Sequence, residues 1–213
     1  MTGGRHLYLL GGGGHATVVA DLARSLGWSI AGIVDPRLSV GTPCLDSEVV
    51  SFDQVLQRGQ AGTVGAFVAI GENEARVREY RRLVEEGVDV PPLSHPSAVV
   101  SPDVVVEGGA CVMAGAVLQA GTSIGAAVVV NTRAGVDHDC AIGEGAFIGP
   151  GATLCGNVSV GAGAFVGAGA TIVPGVRIGP GAFVGAGTVI VSDLGAGDQA
   201  KHWRRDTGAS RVV

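Results

Sequence analysis

From Ala98 onward the chain repeats every six residues. Cut there, it reads AVVSPD, VVVEGG, ACVMAG, AVLQAG, TSIGAA, VVVNTR, AGVDHD, CAIGEG, then AFIGPG, ATLCGN, VSVGAG, AFVGAG, ATIVPG, VRIGPG, AFVGAG, TVIVSD. That is sixteen hexads over residues 98–193, with no insertion. The third position is always Val, Ile or Leu, and the first is always Ala, Cys, Thr or Val. A helix, with period 3.6, and a strand, with period 2, cannot hold one residue type at every sixth place. A short strand and a turn, repeated on each face of a triangular coil, can. The aliphatic third position then points into the prism, and the small first position fits where the coil is narrow. Three hexads close one coil, so residues 100, 118, 136, 154, 172 and 190 share one inward column. At roughly 4.8 Å between paired strands, just over five coils make a rod about 25 Å long. One coil alone cannot bury its inner face; stacking supplies the core. Glycine, 37 of 213 residues, suits this reading. It lacks collagen's three-residue period, and it serves turns where φ is positive.

Residues 7–10 form an apolar run leading into Gly11-Gly12-Gly13-Gly14-His15 and a periodic stretch, 16–26. That pattern predicts strand, glycine turn and helix. A second strand, 28–34, ends at Asp35. Gly11, Gly13 and Ala16 fit a dinucleotide-type fingerprint, in which glycines admit a phosphate and the helix N-terminus supplies donors. A tight turn without a ligand has the same local pattern. The ninety or so residues before the prism are half of a full dinucleotide fold, so a mononucleotide or nucleotide-sugar suits the length better than NAD. Ser51 with Gln54 predicts a capping box. Residues 65–70 read as a strand, and Gly71 to Asn73 open a helix to about Glu86 with Val77, Tyr80, Leu83 and Val84 as its apolar stripe. The whole is an α/β N-terminal domain with a small parallel sheet, a Rossmann-like half (1–94), then the β-helix (95–195) and a tail (196–213).

The net charge is −5, and no basic cluster is longer than Arg204-Arg205, which argues against nucleic acid as a ligand. Cys44, Cys111, Cys140 and Cys155 form no CxxC pair and read as buried thiols. No apolar run of 18 residues occurs, so no membrane span is expected and a cytoplasmic location fits.

Chemistry concentrates in Asn131-Thr132-Arg133-Ala134-Gly135-Val136-Asp137-His138-Asp139. His138, the only His in the hexads, falls two residues past the inward Val136, hence at a corner, between two carboxylates. A base near neutral pKa, oriented by a carboxylate, can take a proton from an attacking amine or hydroxyl. Backbone N–H groups of a turn can hold the oxyanion. Cys140, at an interior first position, is a poor nucleophile. The second positions Val99, Val105, Val129, Phe147, Phe165 and Phe183 should point outward. The three Phe form a column whose burial against another copy is expected, in a homotrimer with Phe147 near His138.

The repeat resembles that of the left-handed β-helix acyltransferases; the left hand comes from this resemblance, since the general crossover rule favours the right. Residues 4–193 are similar to the sugar O- and N-acetyltransferases that include sialic acid, perosamine and bacillosamine-pathway enzymes. The matching pieces are Gly11 to Ala16 with Val18-Val19, Asp35, Ile70 to Asn73, His95 to Ala98, Asn131-Thr132, Asp137 to Gly143 and Gly156 to Val158. The resemblance implies His138 as general base, Asp139 as its orienting residue, and Asn131 in the acceptor site. It implies a nucleotide-sugar against Gly13, His15 and Asp35. Acetyl-CoA, the co-substrate, is then expected between neighbouring prisms of a trimer, at Gly156, Phe147 and Ala168, with no permanently bound cofactor or metal. Phe147 stands where many relatives carry a second His, so a different acyl group or a sugar hydroxyl as acceptor stay open. So does a non-catalytic prism. A zinc hydratase of this shape would need three His. The tail, with Lys201, Trp203, Arg204 and Arg205, departs from the relatives' closing turn.

Overall fold

The computed structural model describes residues 5–60 and 64–201. The N-terminal part is a three-stranded parallel sheet. Its order is β2 (Trp28–Val34), β1 (Arg5–Leu10), then β5 (Gly65–Val68). Helix α1 (Gly14–Ser25) covers one side, and α2 (Phe52–Gln60) and α3 (Asn73–Glu85) cover the other. The period of 2 in β1 decides the layering: Leu7 and Leu9 pack with α1, while Tyr8 and Leu10 face Val55 and Leu83. The capping box forms, Ser51 N–H donating to Gln54 Oε1 (2.9 Å) and Gln54 N–H to Ser51 Oγ (3.3 Å). A tiny hairpin, β3 (Pro43–Cys44) and β4 (Ser47–Glu48), turns on two residues of positive φ, Leu45 and Asp46. These residue types give little turn signal, and the sequence reading has no hairpin there.

The α3 stripe differs from expectation. Leu83 is buried, but Val84 is 49% exposed and Arg76 is 1% exposed in its stead. The cause lies in what α3 rests on: its far side meets carbonyl-rich turns of the prism, which an arginine satisfies and an aliphatic does not.

The rest is a left-handed parallel β-helix. Every hexad contributes a two-residue strand at its second and third positions, and strands eighteen residues apart pair in parallel. Face one runs from Val99–Val100 to Val189–Ile190 and face two from Val105–Val106 to Arg177–Ile178. Face three runs from Leu93–Ser94 to Gln199–Ala200. Third positions from Val112 to Ile190 are buried, as are first positions from Ala110 to Thr188. Two glycine sets explain the composition. The sixth residue of each hexad from 109 to 187 has positive φ. At the fourth position, a Cβ on Gly161 or Gly167 would come within 2.8 Å of backbone in the next coil. The coil thus begins at Leu93 and still has a rung at Gln199–Ala200, inside the expected tail.

The outward column of face three is only partly open. Cys111 and Val129 are fully buried under α1, and Phe147 packs against the same cluster. The outward Val129 is thus covered by the same chain's N-terminal domain, and Phe147 is covered by it in part. The column continues as a stack, Phe147 on Phe165 (4.9 Å between centroids) and Phe165 on Phe183 (5.1 Å). Lys201 Nζ lies 5.6 Å from the Phe183 ring; Trp203, Arg204 and Arg205 lie outside the described residues.

Candidate active site

Asp137, His138 and Asp139 form the turn from face one to face two. Four of the prism's positive-φ turn positions hold residues other than glycine: Ala127, Arg133, Asp139 (φ 57°) and Asn157 (φ 59°). Asp and Asn tolerate this conformation best among such residues, and these two flank the histidine. Asp139 Oδ2 lies 2.8 Å from His138 Nδ1. A carboxylate only accepts, so Nδ1 carries the proton and Nε2 is left as the basic nitrogen. The main chain is fixed as well: His138 N–H donates to Asp137 Oδ1 (2.8 Å), and His138 O accepts from Asn157 N–H (2.9 Å).

One coil further on, Gly156 lies directly against the imidazole. A Cβ there would fall 2.5 Å from His138 Cε1 and also collide with Nε2. Only glycine admits the ring in this pose. The Gly156 N–H has no partner among the described residues, so a donor stands beside the base. The ring is open to solvent, and its hydrogen bond to Asp139, then the charge of Asp137, raise the His138 pKa above its ordinary value. Cys140 is buried, its thiol pushed up by desolvation, and Sγ lies 3.3 Å from Cys155 O. It cannot serve as a nucleophile.

A second feature is a cleft of about 760 Å³ at the C-terminal ends of the sheet strands, lined by Gly13, His15, Asp35, Arg37 and Gly71 among others. The glycine loop turns sharply at Gly11 (φ 111°), where a Cβ would meet Ala69 O at 2.9 Å. Gly13, which caps α1 without a side chain, leaves the first-turn amides facing the cleft. His15 Nε2 is buried with no partner among the described residues, and burial, then the charge of Arg76, lowers the His15 pKa to about 4. Asp35 is 3% exposed, and its oxygens accept from Gly12 N–H and from the Arg37 main chain and guanidinium. These bonds, the Arg37 side chain's first, hold its carboxyl well below the usual range. With its lone pairs filled, Asp35 fixes the glycine loop and presents Arg37, 72% exposed, at the cleft mouth.

Of the residues singled out from sequence, His138, Asp139 and Gly156 therefore meet at one corner, and Gly13, His15 and Asp35 meet in the cleft. Asn131 and Ala168 do not join either group: both lie in turns from face three to face one. Phe147 sits on face three, opposite the His138 corner, so the expected proximity does not hold within one chain. Arg37 and Arg76 were missed; an arginine two residues past a strand-end Asp, or within a charged helix, carries no distinguishing signal.

The PglD N-terminal domain model matches residues 6–83, and the bacterial transferase hexapeptide (six repeats) model matches residues 121–156 and 157–192. Among solved structures, GDP-perosamine N-acetyltransferase from Caulobacter crescentus is 40% identical, with 94% of each chain covered and a TM-score of 0.87. The chain belongs to the hexapeptide-repeat acyltransferases. The Caulobacter protein was solved with CoA and GDP-perosamine as substitutions of one histidine, to Ala and to Asn. The acetyltransferase domain of PglB from Neisseria gonorrhoeae, solved with acetyl coenzyme A, is 36% identical over 93% of this chain and 97% of that one, with a TM-score of 0.87. This acyltransferase is thus closely related to the perosamine and PglB-type sugar N-acetyltransferases. Among its described residues, no helix is long and apolar enough to cross a membrane.

Proposed function

We propose that this chain transfers the acetyl group of acetyl-CoA to the amine of a nucleotide-linked amino sugar. The observation that carries the reading is the His138–Asp139 pair lying on Gly156, a base and a backbone donor side by side at a solvent-open corner. The neutral amine attacks the thioester carbonyl carbon. A C–N bond forms, the carbonyl electrons move to oxygen, and the Gly156 N–H stabilises that oxyanion. His138 Nε2 takes the nitrogen's proton while Asp139 steadies the imidazolium. Collapse breaks the C–S bond, and the imidazolium protonates the departing thiolate, giving CoA and the N-acetyl sugar. No covalent enzyme intermediate is required, consistent with the burial of Cys140.

The nucleotide belongs in the N-terminal cleft, where the α1 amides, His15 and Arg37 converge. The working unit is a homotrimer. Asn131, Ala168 and Phe147 are remote from His138 within one chain, and a neighbouring prism is what would bring an Asn131–Ala168 edge to a His138 corner. Acetyl-CoA then lies between prisms, in the cytoplasm. The test is a panel of GDP- and UDP-linked amino and hydroxy sugars with acetyl-CoA, read by mass spectrometry of the products. A single acetyl group on the amine supports the reading; acetylation of hydroxyls alone, or of no nucleotide sugar, overturns it.

A further inference from the structure

Arg76 is an arginine on a solvent-facing type of helix, yet its side chain is buried and bonded to no carboxylate. Its five N–H donors meet five oxygens. Nε donates to Ala127 O (2.8 Å), and Nη1 to Ile70 O (3.2 Å) and Gly71 O (3.1 Å). Nη2 donates to Asn73 Oδ1 (2.7 Å) and Gly145 O (2.8 Å). A guanidinium has five donors, so none is idle. Ile70 and Gly71 belong to the cleft wall, where a Cβ on Gly71 would lie 3.7 Å from His15 Cβ. Ala127 and Gly145 are equivalent turn residues of successive coils. The stretch between them is one complete coil, and it carries Asn131, His138 and Asp139.

The rest of α3 is docked in the same register. Tyr80 lies over Gly109, where a Cβ would be 2.5 Å from its ring, and Val77 lies over Gly145. Asn73 Nδ2 donates to Gly163 O (2.9 Å). Asn73, Val77 and Tyr80 thus meet the coils at Gly163, Gly145 and Gly109, and Arg76 spans those at Gly145 and Ala127.

We infer that Arg76 is a positioning residue for acyl transfer: it fixes the height of the cleft along the prism, at the coil that bears His138. The inference rests on the reading above that the cleft holds the nucleotide end of the acceptor. A cleft displaced by one ångström along the rod would still bind its ligand but would present the amine off the line of attack, a loss of about 10²-fold. General loss of packing would instead damage every ligand site together.

The test compares wild type with Arg76→Met and Arg76→Lys. In a folded Arg76→Met protein, kcat with the nucleotide-linked amino sugar should fall about 10²-fold. The affinity for acetyl-CoA, measured by calorimetry, should change less than about threefold. Lys keeps the charge but has three donors, so it should restore part of kcat; it also carries the test if the Met variant does not fold. Unchanged kcat, or acetyl-CoA affinity lost in parallel with kcat, overturns the inference. Amide exchange provides a readout independent of the acceptor. In the Arg76 variants, exchange at residues 69–72 and at the Ala127 and Gly145 turns should rise together. If wild type acetylates no nucleotide sugar, the proposed function fails, and unchanged exchange at those three places would separately dispose of the bridging role.

Discussion

His15 contributes a pH-dependent part of this protein's stability. Burial and the Arg76 charge lower its pKa from 6.5 to about 4. Below pH 6.5 the unfolded chain binds a proton here that the folded chain refuses until about pH 4. Stability is therefore complete above 6.5 and falls as pH drops through that window. Lowering the His15 pKa from 6.5 to about 4 corresponds to about 3 kcal/mol, a large part of the 5–15 kcal/mol typical of a folded domain. His15→Gln replaces the titrating ring with a neutral amide and removes this loss. Urea unfolding of both proteins at one chain concentration, from pH 7 to pH 4, gives the difference directly, since the carboxylates are common to both. Wild type should lose about 3 kcal/mol more than the variant. Parallel curves would refute the argument, showing that water or a rotated ring reaches Nε2 in the folded state.

Asp139→Asn should move the acid limb of the kcat/KM profile to lower pH. His138 is raised first by its bond to Asp139, so without that carboxylate it stays unprotonated further into acid, while its maximum rate falls because Nδ1–H is held less well; an unmoved limb would argue against this coupling. Sedimentation should give three times the 21.1 kDa chain mass. Phe165→Asp, in the part of the Phe column that α1 does not cover, should yield a folded monomer without acetyl-CoA affinity; a fully active monomer would end the shared-site model.

The sixteen hexads of the prism were legible, because a stacked triangular coil buries the Val, Ile or Leu at the third position of each; its hand and its end rungs at Leu93 and Gln199–Ala200 were not in that period. The βα order of the N-terminal domain was legible as well, from the glycine turn before Ala16 and the capping box at Ser51. His138 and Asp139 stood out because a charged triplet interrupts bland turns. What stayed hidden depends on three-dimensional neighbours. Arg76 reads as one more charge on a polar helix until the carbonyls of Ala127 and Gly145 are placed above it. Asp35 reads as a ligand acceptor until Gly12 and Arg37 are seen to fill it. Val129 and Phe147 read simply as outward, because period alone cannot say that α1 folds back over face three.

The central claim is that His138 Nε2 takes the proton of the attacking nitrogen. Steady-state turnover of His138→Ala with acetyl-CoA and a GDP- or UDP-linked amino sugar tests it most directly. A fall in kcat of at least about 10²-fold, with acetyl-CoA still bound, is the predicted result; turnover like that of wild type would contradict it.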